Sequence, residues 1–290
     1  MLDGETAIDV ALVDELIRGQ FPRWHGLPLT RLRHGGTDHE IYRLGDELAV
    51  RLPRIEWAKD QAERDFVTVP RLAPHLPVAI PEPLELGDPT EHYPYRWSVV
   101  RWLDGDISTI DAVNRDTATR LAEVVRSLNE IDAAGEPWTT YRGRLDRSDS
   151  DERVRSAIAE LGGDPRLLAL WQETLDAPHW DRPARWLHAD LHAGNLLFTE
   201  GELTGVIDWG SAGAGDPAAD LMTAWLFLDE RGRKEFRREL AEFDDATWVR
   251  AQGWALALAV LALPYYRETN KFLAGIAKHT LTQLVPEGTW

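Results

Sequence analysis

The stretch LHADLHAGNLL, from Leu187 to Leu197, sets two histidines, an aspartate and an asparagine between apolar flanks. Within it His188, Asp190 and Asn195 form H-x-D-x-x-x-x-N, and thirteen residues beyond Asn195 stands Asp208 in Val-Ile-Asp-Trp-Gly. Taken singly, each reads as a polar cap on a loop. In this order and spacing they make up the parts that phosphoryl transfer requires. One carboxylate, Asp190, accepts a hydroxyl proton, while oxygen ligands hold the cation that neutralises the transferring phosphate. Mg²⁺ takes carboxylate, amide carbonyl and water oxygens, which Asn195 and Asp208 supply. His192 has the chemistry of a metal ligand or general base, but reads better as a loop histidine bonded to backbone. His188 falls on the buried side and reads as a residue that orders the loop.

The elements that must position these residues are short strands. Asn195–Phe198 and Leu203–Ile207 read as two arms of a hairpin, which fixes the separation of Asn195 and Asp208. Upstream, Leu29–His34, Glu40–Leu44 and Leu48–Leu52 are strand-like runs separated by turn signals at Gly35-Gly36 and Gly45-Asp46. A helical pattern covers Glu56–Leu72, with Ala58, Ala62, Phe66 and Val69 on its apolar face. The Pro-rich stretch His75–Pro83 excludes regular helix, and Arg96–Trp102 is a further strand. Beyond Gly105 helical patterns take over: Ile110–Ile131, Pro165–Leu175, Pro217–Leu228, Lys234–Glu242 and Thr247–Leu263. This predicts a β-rich N-terminal domain with a leading helix, residues 1–103, and a mainly helical domain, residues 104–290.

Composition narrows the possible partners. The chain has no cysteine, so disulfides and thiolate metal sites are excluded. Its formal charge of −17 is spread along the whole length instead of residing in a tail. Such a surface repels phosphate backbones, which argues against nucleic acid or an anionic membrane as partner. It favours cationic small molecules, although solubility alone accounts for an excess of this kind. The run Trp254–Tyr266 falls short of a bilayer span and contains Pro264, so it reads as a buried helix. The N-terminal twenty residues carry acids within their apolar stretch and lack the basic leader of a secretory signal, which predicts a cytoplasmic protein. Most of the thirteen tryptophans read as core packing.

With these residues in view, the chain resembles the aminoglycoside phosphotransferase family, bilobal antibiotic and small-molecule kinases similar in fold to protein kinases. The protein-kinase segments H-R-D-x-x-x-x-N and D-F-G correspond here to H-A-D-L-H-A-G-N and D-W-G. The family's G-D-P-x-x-D-L helix start appears as Gly215-Asp216-Pro217-Ala-Ala-Asp220-Leu221. The resemblance spans nearly the whole chain and implies an α+β kinase-like fold, with a small β-rich N-lobe and a larger helical C-lobe. It also implies that Asp220 braces the catalytic loop, and that the loop holding Gly35 and Gly36 covers nucleotide phosphates. The backbone from Val100 to Trp102 would meet the base of ATP or GTP.

Two departures stand out. Arg51, in Leu-Ala-Val-Arg-Leu-Pro, occupies the place where the family often has lysine, and would serve as the phosphate clamp. Arginine stays charged and grips two oxygens, but is bulkier than lysine. Its ion-pair partner would be Asp65, where the family usually has glutamate, or else Glu63. The expected activity is a Mg²⁺-dependent transfer of the γ-phosphate of ATP or GTP to a hydroxyl of a small molecule. An antibiotic of the aminoglycoside or macrolide class leads as acceptor, followed by a sugar, choline or amino alcohol. A catalytically silent kinase-like binding protein is the reading from outside the enzymes.

Overall fold

The computed structural model describes residues 8–32, 38–107, 115–145, 147–286, 288 and 290. The chain divides into two compact units. The first comprises residues up to Pro74, Ala79–Asp104 and Val206–Gly210; the second comprises His75–Val78, Gly105–Gly205 and Ser211–Trp290.

The first unit is built on an antiparallel five-stranded sheet. Its strands are Leu29–Arg31 (β1), His39–Leu44 (β2), Leu48–Pro53 (β3), Pro83–Gly87 (β4) and Trp97–Arg101 (β5), in the order β1-β2-β3-β5-β4. A leading helix, Val10–Gln20 (α1), begins at Asp9, whose carboxylate accepts the Leu12 amide as an N-cap. It packs Val13, Leu16 and Ile17 into a core shared with Tyr42, Leu44, Val50, Leu52, Trp97 and Val99. The third strand is buried along its full length, as a central strand covered on both faces must be. The expected helix over Glu56–Leu72 is a 3-10 turn, Glu56–Ala58, followed by an α-helix, Gln61–Leu72 (α2), which lies against β4. The inward face of α2 runs through Ala62, Asp65, Val69 and Leu72, while Phe66 is exposed. The apolar period had put Phe66 inside. A buried aspartate takes that face because a cation waits for it, as described below.

The second unit is mainly helical. Asp106–Ile107 (β6) precedes three helices, Arg115–Glu130 (α3), Arg147–Glu160 (α4) and Pro165–Asp176 (α5), which are followed by Arg185–Leu187 (β7) and the two hairpin arms Leu196–Thr199 (β8) and Glu202–Val206 (β9). Gly213–Gly215 (β10) pairs antiparallel with β7, and β8 lies between β6 and β9. The expected helix Pro217–Leu228 is broken into two short turns, Ala218–Leu221 (α6) and Thr223–Leu226 (α7). Glu230–Glu239 (α8), Asp245–Tyr266 (α9) and Lys271–Leu284 (α10) complete the unit. Helix α9 carries the longest apolar run and has the length and composition to cross a membrane, but α4, α5, α6 and α10 pack around it. Its Leu256, Ala259, Val260 and Leu263 form a core with Trp171, Ala277 and Leu281. The α+β class and the division into a sheet-rich and a helical portion are those expected.

Candidate active site

In the first unit, two carboxylates meet around Arg51. Strand β3 points it into the interior, where Nη1 donates to Asp65 Oδ2 at 2.8 Å and Nη2 donates to Asp208 Oδ1 at 3.0 Å. Arg51 and Asp65 are buried, whereas the Asp208 side chain keeps 39% of its exposure. Glu63, the other carboxylate considered as partner, projects from α2 to Arg96 at 2.6 Å instead. Two helical steps separate the two outcomes, since Glu63 and Asp65 lie about 200° apart around the axis. The two departures from the family pattern also compensate. Arginine is longer than lysine and aspartate one methylene shorter than glutamate, so here the longer cation meets the shorter carboxylate.

Burial pushes the Asp65 carboxyl up to about 6, with Arg51 opposing and Asp208 reinforcing the shift. Burial works against the charge of Arg51 as well, but Asp65 and Asp208 outweigh it and hold the guanidinium above its ordinary value. Asp208 sits two residues past β9 in the left-handed region, at φ 65°, a conformation that costs a non-glycine residue about 1–3 kcal/mol. Its neighbours hold it there. Trp209 is buried with its indole N–H donating to the Val206 carbonyl, and Arg64 of α2 donates to the Gly210 carbonyl at 3.2 Å. A Cβ on Gly210 would stand 2.3 Å from Gln61 Oε1, so a larger residue in the third place of D-W-G would have to displace the Gln61 side chain.

In the second unit the catalytic-loop candidate leaves β7 and is held from below. Asp220, fully buried, accepts the amides of His188 and Ala189 at 2.9 and 2.7 Å. His188 Nδ1 in turn accepts the Asp190 amide at 3.2 Å, and Ala189 adopts φ 65°. Burial raises the Asp220 carboxyl to about 7, against the two amide bonds, with Asp190 adding to the rise. Two residues after Asp190, His192 Nδ1 accepts the Gly194 amide at 3.0 Å, the backbone bond of a loop histidine. Asn195 donates through Nδ2 to the Asp190 carbonyl at 2.9 Å and, at 3.4 Å, to Asp190 Oδ2.

Arg142, a residue the sequence reading passed over, dominates the Asp190 side chain. Its Nη1 donates to Asp190 Oδ1 at 2.5 Å and to the Ala189 carbonyl at 2.6 Å. Burial alone would raise the Asp190 carboxyl, but Arg142 and, after it, His192 hold it well below the usual carboxylate range. No spacing motif announces an arginine 48 positions before its partner. Its loop is tied to β10: the Thr139 amide donates to the Ala214 carbonyl at 2.8 Å and the Asp216 amide to the Gly143 carbonyl at 2.8 Å. Asp216 itself forms a buried two-pronged pair with Arg250 of α9, at 2.6 and 3.1 Å.

The remaining expected site residues are placed as follows. Val100 is buried in β5, paired with Ala49 and Pro83. The Trp102 amide donates to the Glu47 carbonyl at 2.8 Å, and its ring lies 4.7 Å from the Arg43 guanidinium. Gly35 and Gly36 lie outside the described residues. Among the described residues no three His, Asp or Glu side chains group as a metal cage. Asp208 in the first unit and Asn195 in the second each carry a hard side-chain oxygen, the donor type that suits Mg²⁺, which takes one or two protein oxygens and completes its shell with waters and substrate phosphates.

A family model described as the phosphotransferase enzyme family matches residues 29–254. A thiamine kinase of Escherichia coli O1:K1 is 30% identical over 270 residues, covering 87% of this chain and 86% of the relative. Among solved structures, the GDP and kanamycin complex of APH(2")-IIia superposes with a TM-score of 0.73 at 18% identity, over 96% of this chain and 99% of the other. The macrolide 2'-phosphotransferase MphH of Brachybacterium faecium gives 0.60 at 22% identity, over 97% and 99%.

Proposed function

Because the chain belongs to the phosphotransferase enzyme family, we propose that it moves the γ-phosphate of ATP or GTP to a hydroxyl group of a small organic molecule. The observation that carries this reading is the Asp190 carboxylate. One oxygen is gripped by Arg142 at 2.5 Å, while the other meets a long bond from Asn195, at 3.4 Å, and His192 Nε2 at 3.7 Å. A carboxylate held on one side and kept ionised suits a base that takes a proton in the course of the reaction. The acceptor's O–H proton passes to Asp190 as its oxygen bonds to the γ-phosphorus. The bond from that phosphorus to the bridging oxygen breaks, and the nucleoside diphosphate leaves.

Asn195 and Asp208 would hold Mg²⁺, which when bound neutralises phosphate charge. Arg51 would clamp the phosphates, with Asp65 fixing its guanidinium. Gly35 and Gly36 belong to the segment proposed to cover them. Val100 and Trp102 would meet the base, Trp102 through its carbonyl because its N–H is committed to Glu47. His188 and Asp220 would keep the loop in shape. The intact Arg51–Asp65 pair supports an enzyme over a silent binding protein. We place the reaction in the cytoplasm, where nucleoside triphosphates and Mg²⁺ are supplied.

The sequence relatives shift the order of acceptors. The thiamine kinase likeness, at 30% identity, favours a cationic metabolite alcohol. The aminoglycoside and macrolide enzymes are similar at about the level of fold, at 18% and 22%. The acidic chain suits a cationic acceptor in either case. The test is acceptor-stimulated release of ADP or GDP across thiamine, choline, amino sugars, aminoglycosides and macrolides. Stimulation by at least one, dependent on Mg²⁺, is expected. Tight nucleotide binding with no stimulated turnover on any of them would favour the silent binding protein.

A further inference from the structure

We propose that Arg142 is the positioning residue of Asp190, gripping one carboxylate oxygen so that the other is presented to the acceptor hydroxyl. The inference rests on the phosphotransferase reading of the site and assigns a part that no spacing motif in the sequence carries.

The argument is geometric. A carboxylate on a loop has two rotatable bonds and two equivalent oxygens, so unaided it samples several orientations. Arg142 removes that freedom. Its Nη1 reaches Asp190 Oδ1 at 2.5 Å and the preceding carbonyl, of Ala189, at 2.6 Å, so side chain and backbone of the loop are fixed by one donor. The guanidinium is itself fixed. Its Cζ lies 4.2 Å from the Tyr141 ring centroid, and Nη2 donates to Tyr141 Oη at 3.0 Å. Both partners of the ion pair are largely withdrawn from solvent, with side-chain exposures of 13% and 18%. An arginine in such a setting is far better ordered than a surface one.

The two oxygens of Asp190 therefore differ. Oδ1 carries a short charge-assisted bond, and its lone pairs are drawn toward Arg142. Oδ2 faces Asn195 Nδ2 at 3.4 Å and His192 Nε2 at 3.7 Å, both too long for strong bonds. The proton-accepting oxygen is Oδ2. The support behind Arg142 explains its precision. The Gly143 carbonyl accepts the Asp216 amide, the Gly143 amide donates to the Thr139 carbonyl at 3.1 Å, and Thr139 is itself bonded to Ala214 of β10. A Cβ on Gly143 would fall 2.3 Å from the Thr139 carbonyl oxygen, so the tight turn that aims Arg142 depends on glycine.

The test compares wild type with Arg142→Ala and Arg142→Lys in steady-state kinetics, on the best acceptor of the panel above. A misplaced general base costs on the order of a hundredfold, so Arg142→Ala should lose about that much kcat while the nucleotide KM stays within about threefold. Added guanidinium, well below unfolding concentrations, should restore part of the loss, and Arg142→Lys should fall between. A residue that merely braces the fold would lose stability and kcat together, with no rescue by guanidinium, and that outcome overturns the proposal. So does a kcat within a few-fold of wild type. A crystal structure of Arg142→Ala separates this inference from the reaction assignment. The Asp190 carboxylate should leave its present orientation, and its retention there contradicts the proposal even if no acceptor is found. Absence of turnover in wild type would count against the phosphotransferase reading alone.

Discussion

Arg51 and Asp65 meet at 2.8 Å inside the first unit, a long cation from β3 reaching a short carboxylate on α2. The second amino group of Arg51 goes to Asp208 at 3.0 Å. A lysine in the same place has one nitrogen and a shorter reach, so it cannot meet the two carboxylates at the two separate points that Nη1 and Nη2 occupy. The arginine and the aspartate therefore belong together, and the pair predicts its own substitution pattern.

Arg51→Lys alone should weaken nucleotide binding roughly tenfold, because a charge-assisted bond worth about 1.5–3 kcal/mol is lost or lengthened. Adding Asp65→Glu should recover most of that loss, since the longer carboxylate meets the shorter cation. The check is a double-mutant cycle on nucleotide Kd and on unfolding free energy. Strictly additive effects would show that the two residues do not act as a pair. Arg51→Ala, which strands a buried carboxylate, should be worse than either.

The Asp216–Arg250 pair, buried on both sides and doubly bonded, makes a prediction about stability. Removing one partner of such a pair costs about 3–5 kcal/mol, because the other is left charged without a neighbour. Arg250→Ala and Asp216→Ala should each lower unfolding free energy by about that amount in denaturant titration. A loss below about 1 kcal/mol, as for a surface pair, would contradict the arrangement.

Asp220 supplies a pH dependence. Its folded value of about 7 lies above the ordinary 3.8, so between these the native state binds a proton that the unfolded chain does not. Stability is then greatest below that window and falls as pH rises through about 7. Asp65, at about 6, contributes with the same sign. His39 works the other way. Burial, then Arg51, holds it well below 6.5, so its contribution rises with pH in that lower range. Above 6.5 the carboxylates govern. Unfolding free energy measured from about pH 6.5 to about 8.5 should decline in wild type and be flatter in Asp220→Asn, whose overall stability is lower because an amide accepts through one oxygen. Parallel slopes would exclude Asp220 as the source.

The parts of the fold legible in the sequence are those whose signals are local. The strands β2 and β3 and the helices α5 and α9 follow from period and turn residues, their ends falling within three residues of the expected runs. Strand β4 was hidden because Pro81 and Pro83 obscure its start. The inward face of α2 was misread because a hydrophobic period cannot see that Asp65, paired with Arg51, is the buried residue and Phe66 the exposed one. The same blindness concealed Arg142. Spacing motifs register residues close together in the chain, whereas a positively charged partner recruited from a distant loop leaves no local trace.

The central claim is that Asp190 is the base of a phosphoryl transfer, and Asp190→Asn tests it most directly. The change preserves size and the backbone bond from Asn195, while removing the acid–base function, which contributes about 10²–10⁴-fold. With nucleotide and the best acceptor at saturation, kcat should fall by at least the lower of these factors, while nucleotide affinity stays near that of wild type and the protein remains folded, less stable because at this position Arg142 keeps only a bond to a neutral amide oxygen. Turnover by Asp190→Asn within a few-fold of wild type, in a folded protein that binds nucleotide normally, would contradict the account.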